Sequence, residues 1–256
     1  MIDTHAHLNS SEFDQDRGEV ISFCRDLDIE IINVGVDYES SLQAIEMAKN
    51  GGLYASIGLH PTSRPEPLDN FQDLFNQRKV VAIGETGLDF MQCLNNENEK
   101  KRQQDLFNQH GQWAKEYALP MIMHCRQAYR ELISMLRKEM LGIPGVIHSF
   151  SGTLADAREL INLDYYLGFN GLIFKMELDE VIKSTPLDRI LIETDSPYLT
   201  PPSLGRKRNA PHLGLRIVLE KIAYIKKIPA QEVADITKKN AYKLFQLEKH
   251  GGISAS

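Results

Sequence analysis

Cysteine is scarce in this chain: Cys24, Cys93 and Cys125 are the three among 256 residues. They form no Cys-x-x-Cys pair and are odd in number, which argues against a disulfide framework and for a reducing compartment. Long apolar runs are missing too. No stretch approaches the roughly 18 residues that a membrane span needs, and the first strand-like run starts at residue 2, leaving no room for a signal peptide. A cytoplasmic protein with no membrane partner is expected. Positive charge is in deficit, with 29 Lys and Arg against 35 Asp and Glu for a formal net charge of −6. That balance disfavours a broad basic face able to neutralise many phosphates, so any contact with nucleic acid should be local. No glycine-rich phosphate loop follows the first strand, and neither internal repeats nor low-complexity segments occur. The remainder is ordinary globular composition, 42% hydrophobic and 25% charged, enough for one large core.

What is present alternates short apolar runs with longer amphipathic ones. After a strand at the amino terminus, Val20, Ile21, Cys24 and Leu27 mark a helix with one buried stripe. Residues 31–36 read as a β-branched strand, 40–50 as a helix stopped by Gly51-Gly52, and 53–58 as a third strand ending in Leu59-His60-Pro61. A proline-rich turn precedes a helix over 70–78 and a fourth strand over 80–84. A polar loop over 92–99 leads to a long helix carrying Leu106, Phe107, His110 and Trp113 on one face. Further strands are predicted over 120–123, 146–147, 165–170 and 190–192, separated by helices over 132–140 and 154–163 and a helical piece over 177–183. Helices over 215–227 and 230–247 close the chain. Eight strands alternating with helices predict an α/β fold: a single (β/α)8 TIM barrel with C-terminal helices over residues 1–248, then a flexible tail over 249–256. An open doubly wound sheet is the alternative.

Polar residues fall at telling places. His5 and His7 lie two apart in the opening strand, so they share a face, and both are competent metal ligands. Later strands end in His60, Glu85, His124, His148 and Asp195. In a barrel of this kind the carboxyl ends of the strands converge on the active site. Four histidines, His5, His7, His124 and His148, with the carboxylates Glu85 and Asp195, are too many for one tetrahedral zinc. They suit two divalent ions that share a carboxylate, which can supply a hydrolase with a nucleophile derived from water.

Six stretches carry a family resemblance: Asp3-Thr4-His5-Ala6-His7, Gly58-Leu59-His60-Pro61, Gly84-Glu85-Thr86-Gly87-Leu88-Asp89, His124-Cys125-Arg126, His148-Ser149-Phe150-Ser151-Gly152 and Glu193-Thr194-Asp195-Ser196-Pro197-Tyr198. In this order they resemble the TatD family of metal-dependent deoxyribonucleases, across residues 2 to about 245. The resemblance implies an amidohydrolase-like barrel with two divalent ions and a 3′-to-5′ exonuclease or endonuclease acting on DNA, here on single-stranded ends. It puts His5, His7, Glu85 and Asp195 on one ion and Glu85, His124 and His148 on the other, with Glu85 bridging. Asp195 would also be the general base, and His60 would contact the scissile phosphate or its leaving group. Arg126, Lys175 and Arg206 are candidates for gripping phosphate. The histidines suit zinc or manganese, whereas the nuclease resemblance suggests magnesium.

There are departures and rivals. Thr62 stands where family members often have a second histidine, and Phe90-Met91-Gln92 where many carry an aromatic and then a basic residue. His110 and His212 read as packing or surface residues, His250 belongs to the tail, and Cys125 reads as packing. Glu193 is either a partner behind the ligands or simply a buried acid. Asp89 can order a loop, cap a helix or support the site. Arg206-Lys207-Arg208 reads as a solvated turn or a phosphate contact. The competing function is a metal-dependent amidohydrolase acting on a small amide or ester; many of these bridge their ions with a carboxylated lysine, whereas the fourth strand here delivers Glu85. A monomer is the expected state.

Overall fold

β-Branched and aliphatic runs form the strands in the computed structural model, which describes residues 1–49, 51–93, 96–205 and 207–247. The strands are β1 (Ile2–Ala6), β2 (Glu30–Val34), β3 (Leu53–Ile57), β4 (Val80–Asp89), β5 (Met121–Arg126), β6 (Gly145–Ile147), β7 (Tyr166–Phe169) and β8 (Ile190–Ile192). The helices are α1 (Arg17–Asp26), α2 (Tyr38–Ala48), α3 (Phe90–Cys93), α4 (Glu97–Glu116), α5 (Tyr129–Glu139), α6 (Leu154–Asn162), α7 (Asp179–Ser184), α8 (Pro211–Lys226) and α9 (Ala230–Phe245). All neighbouring strands pair in parallel in the order β1 to β8. Closure comes just beyond β8, where Asp195 N donates to His5 O at 2.9 Å and His7 N donates to Ser196 O at 2.8 Å. The architecture is the (β/α)8 barrel, not the open sheet.

Strand alternation sorts the core into two layers. Ile32, Ile122, Val146, Tyr166 and Leu191 pack with Leu244, Phe245 and Leu247, so the end of α9 joins the inner layer. Their neighbours Ile31, Met121, Met123, Ile147, Ile190 and Ile192 belong to the outer layer with helix residues such as Val218 and Ile222. With the strand interior filled largely by aliphatic and aromatic side chains, the candidate ligands gather towards the carboxyl ends of the strands.

Two expectations change. The helix predicted over 70–78 is a 3₁₀ segment, Leu68–Leu74, entered from Pro67. Its buried residues Phe71 and Leu74 lie three apart, which is one face of a helix with three residues per turn. The fourth strand, predicted to stop at 84, continues to Asp89. Gly84 and Gly87 adopt φ of +141° and +137°, and a Cβ on either would strike the β5 carbonyl oxygens of Ile122 and His124. They let β4 shift register between Ile83 and Thr86 and still stay paired with β5. The residues 249–256 predicted as a tail lie outside the described residues, as does His250.

His110 is a structural histidine, fully buried in α4. Its Nδ1 donates to Leu106 O at 2.8 Å, and its Nε2 accepts from Leu59 N at 3.1 Å, which anchors the backbone just before His60. Burial pushes its pKa down from 6.5 to about 4. The unfolded chain therefore takes up the proton first as pH falls, so this stabilisation is full above about 6.5 and is lost towards 4. Between pH 7 and pH 5 the loss from this group should be about 2 kcal/mol. Denaturant unfolding at both pH values should show the wild type losing that much more stability than His110→Gln. Parallel pH profiles would contradict this role.

Candidate metal-dependent active site

Each predicted strand-end side chain reaches one cleft of about 430 Å³, lined by His7, His60, Glu85, His124, His148 and Asp195, with Asn9, Ser10, Thr62, Ser149 and Tyr198 around them. His5 lies directly beneath, fully buried and stacked on His148 with ring centroids 3.8 Å apart. Other depressions of similar size, such as the one of about 520 Å³ lined by Lys101, Arg130 and Glu131, hold no histidine among the described residues.

Glu85 occupies the middle, 3% exposed. Its two oxygens face different partners. Oε2 is 3.3 Å from His5 Nε2 and 3.7 Å from His7 Nε2, and Asp195 Oδ1 completes that side at 3.7 and 3.3 Å from the same two nitrogens. Oε1 lies 2.8 Å from His148 Nε2, 3.1 Å from His124 Nδ1 and 3.4 Å from His60 Nε2. The expectation that His5 and His7 share a face is met, with their Nε2 atoms 3.1 Å apart.

The outer nitrogens decide what the inner ones present. His7 Nδ1 donates to Val34 O at 3.1 Å and His124 Nε2 to Asp89 Oδ2 at 3.2 Å, while His148 Nδ1 faces Glu193 Oε1 at 3.5 Å. With the outer nitrogens engaged in this way, a cation that displaces the inner protons would meet a lone pair from each of these three rings. His60 is different. Its Nδ1 accepts from Thr62 N at 3.2 Å and lies 2.8 Å from Thr62 Oγ1, so its proton sits on Nε2 and points at Glu85. Thr62 thus sets the tautomer of His60.

Asp89 serves two purposes, one per oxygen: Oδ1 accepts from Gln92 N at 3.2 Å at the start of α3, and Oδ2 backs His124. Glu193 is more than a buried acid. Its Oε1 accepts from Ser149 N at 2.7 Å and Asn170 Nδ2 at 2.9 Å, holding the chain beside His148. Asp3 was not singled out in the sequence, yet it joins β1 to the end of β8 by accepting from Thr194 N at 3.0 Å, Thr194 Oγ1 at 2.6 Å and His5 N at 3.2 Å. Burial raises its carboxyl to about 7.

Charge is divided unevenly. Burial opposes ionisation of Glu85, but the surrounding His148, His60 and His5 hold its carboxyl well below the usual range. Burial likewise opposes charge on His148, which Glu85 and Glu193 nevertheless hold well above the ordinary imidazole value. His5, desolvated and stacked on His148, is pushed down. Asp195 is held ionised despite burial by its hydrogen bond from His7 and by the other imidazoles.

This donor set fits divalent ions. Ring nitrogens of His5, His7, His124 and His148 and the carboxylates of Glu85 and Asp195 crowd together, a set of the nitrogen and oxygen donors that divalent ions take. Ligand atoms of His5, His7 and Glu85 lie within 4.8 Å of one another, as do those of His5, His148 and Asp195 and those of His60, Glu85 and His124. The tautomer of His60 separates it from the ligands in the last group.

The cationic candidates fare differently. Arg126 and Lys175 are exposed and do not line the cleft. Arg208 turns to its own barrel, 2.6 Å from Asp16 Oδ2 and over the Phe13 ring. Arg206 lies outside the described residues. His212 packs against Phe23, and Cys125 is buried, as the strand alternation implies. Tyr198, on the cleft wall, was quoted only as part of a motif; its place after Asp195 was the available signal.

Barrel and site together have the form of a metal-dependent hydrolase. A sequence model described as TatD related DNase matches residues 2–246, and the chain belongs to that family. It is 38% identical to the uncharacterized metal-dependent hydrolase YabD of Bacillus subtilis, covering 96% of this chain and 99% of that protein. It is 32% identical to the 3'-5' ssDNA/RNA exonuclease TatD of Cronobacter turicensis, covering 96% and 97%. The crystal structure of the TatD homolog YJJV from Escherichia coli K12 superposes with a TM-score of 0.87 at 30% identity, covering 96% of this chain and 98% of that one. No helix among the described residues is long and apolar enough to cross a membrane.

Proposed function

We propose that this chain is a two-metal phosphodiesterase that shortens single-stranded DNA from its 3′ end. The observation that carries the reading is Glu85, whose two oxygens each face a separate set of imidazoles, as a carboxylate shared by two cations must. His5, His7 and Asp195 would hold one ion with Glu85, and His124 and His148 would hold the other with it. When bound, the ions neutralise charge on the phosphoryl oxygens and make water acidic enough to attack near neutral pH; histidine donors suit zinc or manganese, and magnesium is the third candidate.

The chain's own groups supply the rest. Asp195, ionised and facing the cleft, takes the proton of the attacking water. His60 offers its Nε2 proton towards the oxygen that leaves. Asp89 and Glu193 keep the rings of His124 and His148 from turning. Arg126 and Lys175 act outside the cleft, on phosphates further along the strand. Net charge of −6 leaves binding to local contacts, and three free buried cysteines suit a reducing cytoplasm. The amidohydrolase alternative lacks a lysine at the bridge, where Glu85 stands. Metal-loaded protein incubated with 5′-labelled single-stranded DNA and with a panel of small amides should give a ladder shortening from the 3′ end. Turnover of amides alone would overturn the reading.

A further inference from the structure

Among the described residues lining the cleft none is a lysine or arginine, so apart from the bound ions of the reading above no basic side chain grips phosphate there. Neutral groups surround the metal ligands instead, including Asn9, Ser10, Thr62 and Ser149. One of the lining side chains is both large and open. Tyr198 is 56% exposed, although most large apolar rings of this chain are buried. It stands beside the ligands, its ring centroid 6.0 Å from that of His7 at an interplanar angle of 62°. Its backbone is held on both sides, by its own N–H to Asp195 O at 2.9 Å and by Asn209 Nδ2 to its carbonyl at 2.9 Å.

We propose that Tyr198 is the stacking platform for the unpaired base of the nucleotide being removed, and that this contact supplies affinity within the cleft that no lysine or arginine provides there. The inference rests on the phosphodiesterase reading above and names the contact that distinguishes a nucleic-acid end from a small amide. A fixed aromatic ring accepts any base, because every base offers a π face. The ring lines the same cleft as the ligands and lies 6.0 Å from the His7 ring, within one nucleotide of them.

Steady-state cleavage of single-stranded DNA by metal-loaded wild type, Tyr198→Ala and Tyr198→Phe tests this, with melting temperatures as a control on folding. Tyr198→Ala should raise KM by about 10- to 100-fold, the scale of one lost base stack, with kcat changed little. Tyr198→Phe should restore wild-type KM. A DNA whose 3′-terminal nucleotide is abasic should cost the wild type a similar factor and cost Tyr198→Ala almost nothing further. Unchanged KM in Tyr198→Ala overturns the proposal, as does Tyr198→Phe behaving like Tyr198→Ala, which would put the role in the hydroxyl. Absence of DNA cleavage by the wild type would instead overturn the phosphodiesterase reading itself.

Discussion

Glu85→Gln should lower kcat/KM on a phosphodiester by about a thousandfold or more while the protein still melts cooperatively. Glutamine keeps the volume and one oxygen but removes the charge around which two groups of imidazoles are arranged. Losing a preorganised charge-stabilising group in a buried site typically costs a hundred- to a thousandfold, and here the same change weakens both ion sites at once. The effect on folding should be far smaller, because Glu85 lies above an aliphatic core to which it contributes no apolar contact. Removing its charge also leaves His148 with Glu193 as its remaining acidic neighbour. Kinetics with added manganese and a melt by circular dichroism check both halves. A variant that keeps more than a tenth of the wild-type activity contradicts the role of Glu85.

Chelation should abolish activity altogether and leave the barrel folded. The eight strands pair continuously, and both core layers are built from aliphatic and aromatic residues. A core of this size does not depend on an ion to form. Ions bound to the native state add to stability by mass action, so the melting temperature should fall by several degrees and recover on adding metal. Far-ultraviolet dichroism should be unchanged below the melt. Loss of secondary structure on chelation would mean that the imidazole cluster holds the fold together as well as the chemistry.

The fold and most of the cleft were legible before the structure because of one regularity: apolar runs that each end in a histidine or acid. Where the structure differed, the reasons are local. Gly84 and Gly87 look like strand terminators in a sequence, but at positive φ they allow a register shift and the strand goes on to Asp89. With the strand extended, Asp89 falls four residues after Glu85 and on its face, which explains its contact with His124. The segment after Pro67 carries helical composition, yet within Leu68–Leu74 only Phe71 and Leu74 are buried, the three-residue spacing of a 3₁₀ turn. Side-chain direction was not legible. Arg126 follows His124 by two on the same strand and Lys175 follows β7, but both side chains are exposed away from the cleft lining. Nor does spacing reveal a tautomer: that His60 presents a proton to Glu85, and that His7 and His124 have their outer nitrogens engaged, depends on Thr62, Val34 and Asp89 being where they are.

Anomalous diffraction from crystals soaked in manganese tests the central claim most directly. Two peaks should appear in the cleft, one on each side of the Glu85 carboxylate, the first against His5, His7 and Asp195 and the second against His124 and His148. A single peak that leaves one set of imidazoles without an ion, or none at all in excess metal, would contradict it.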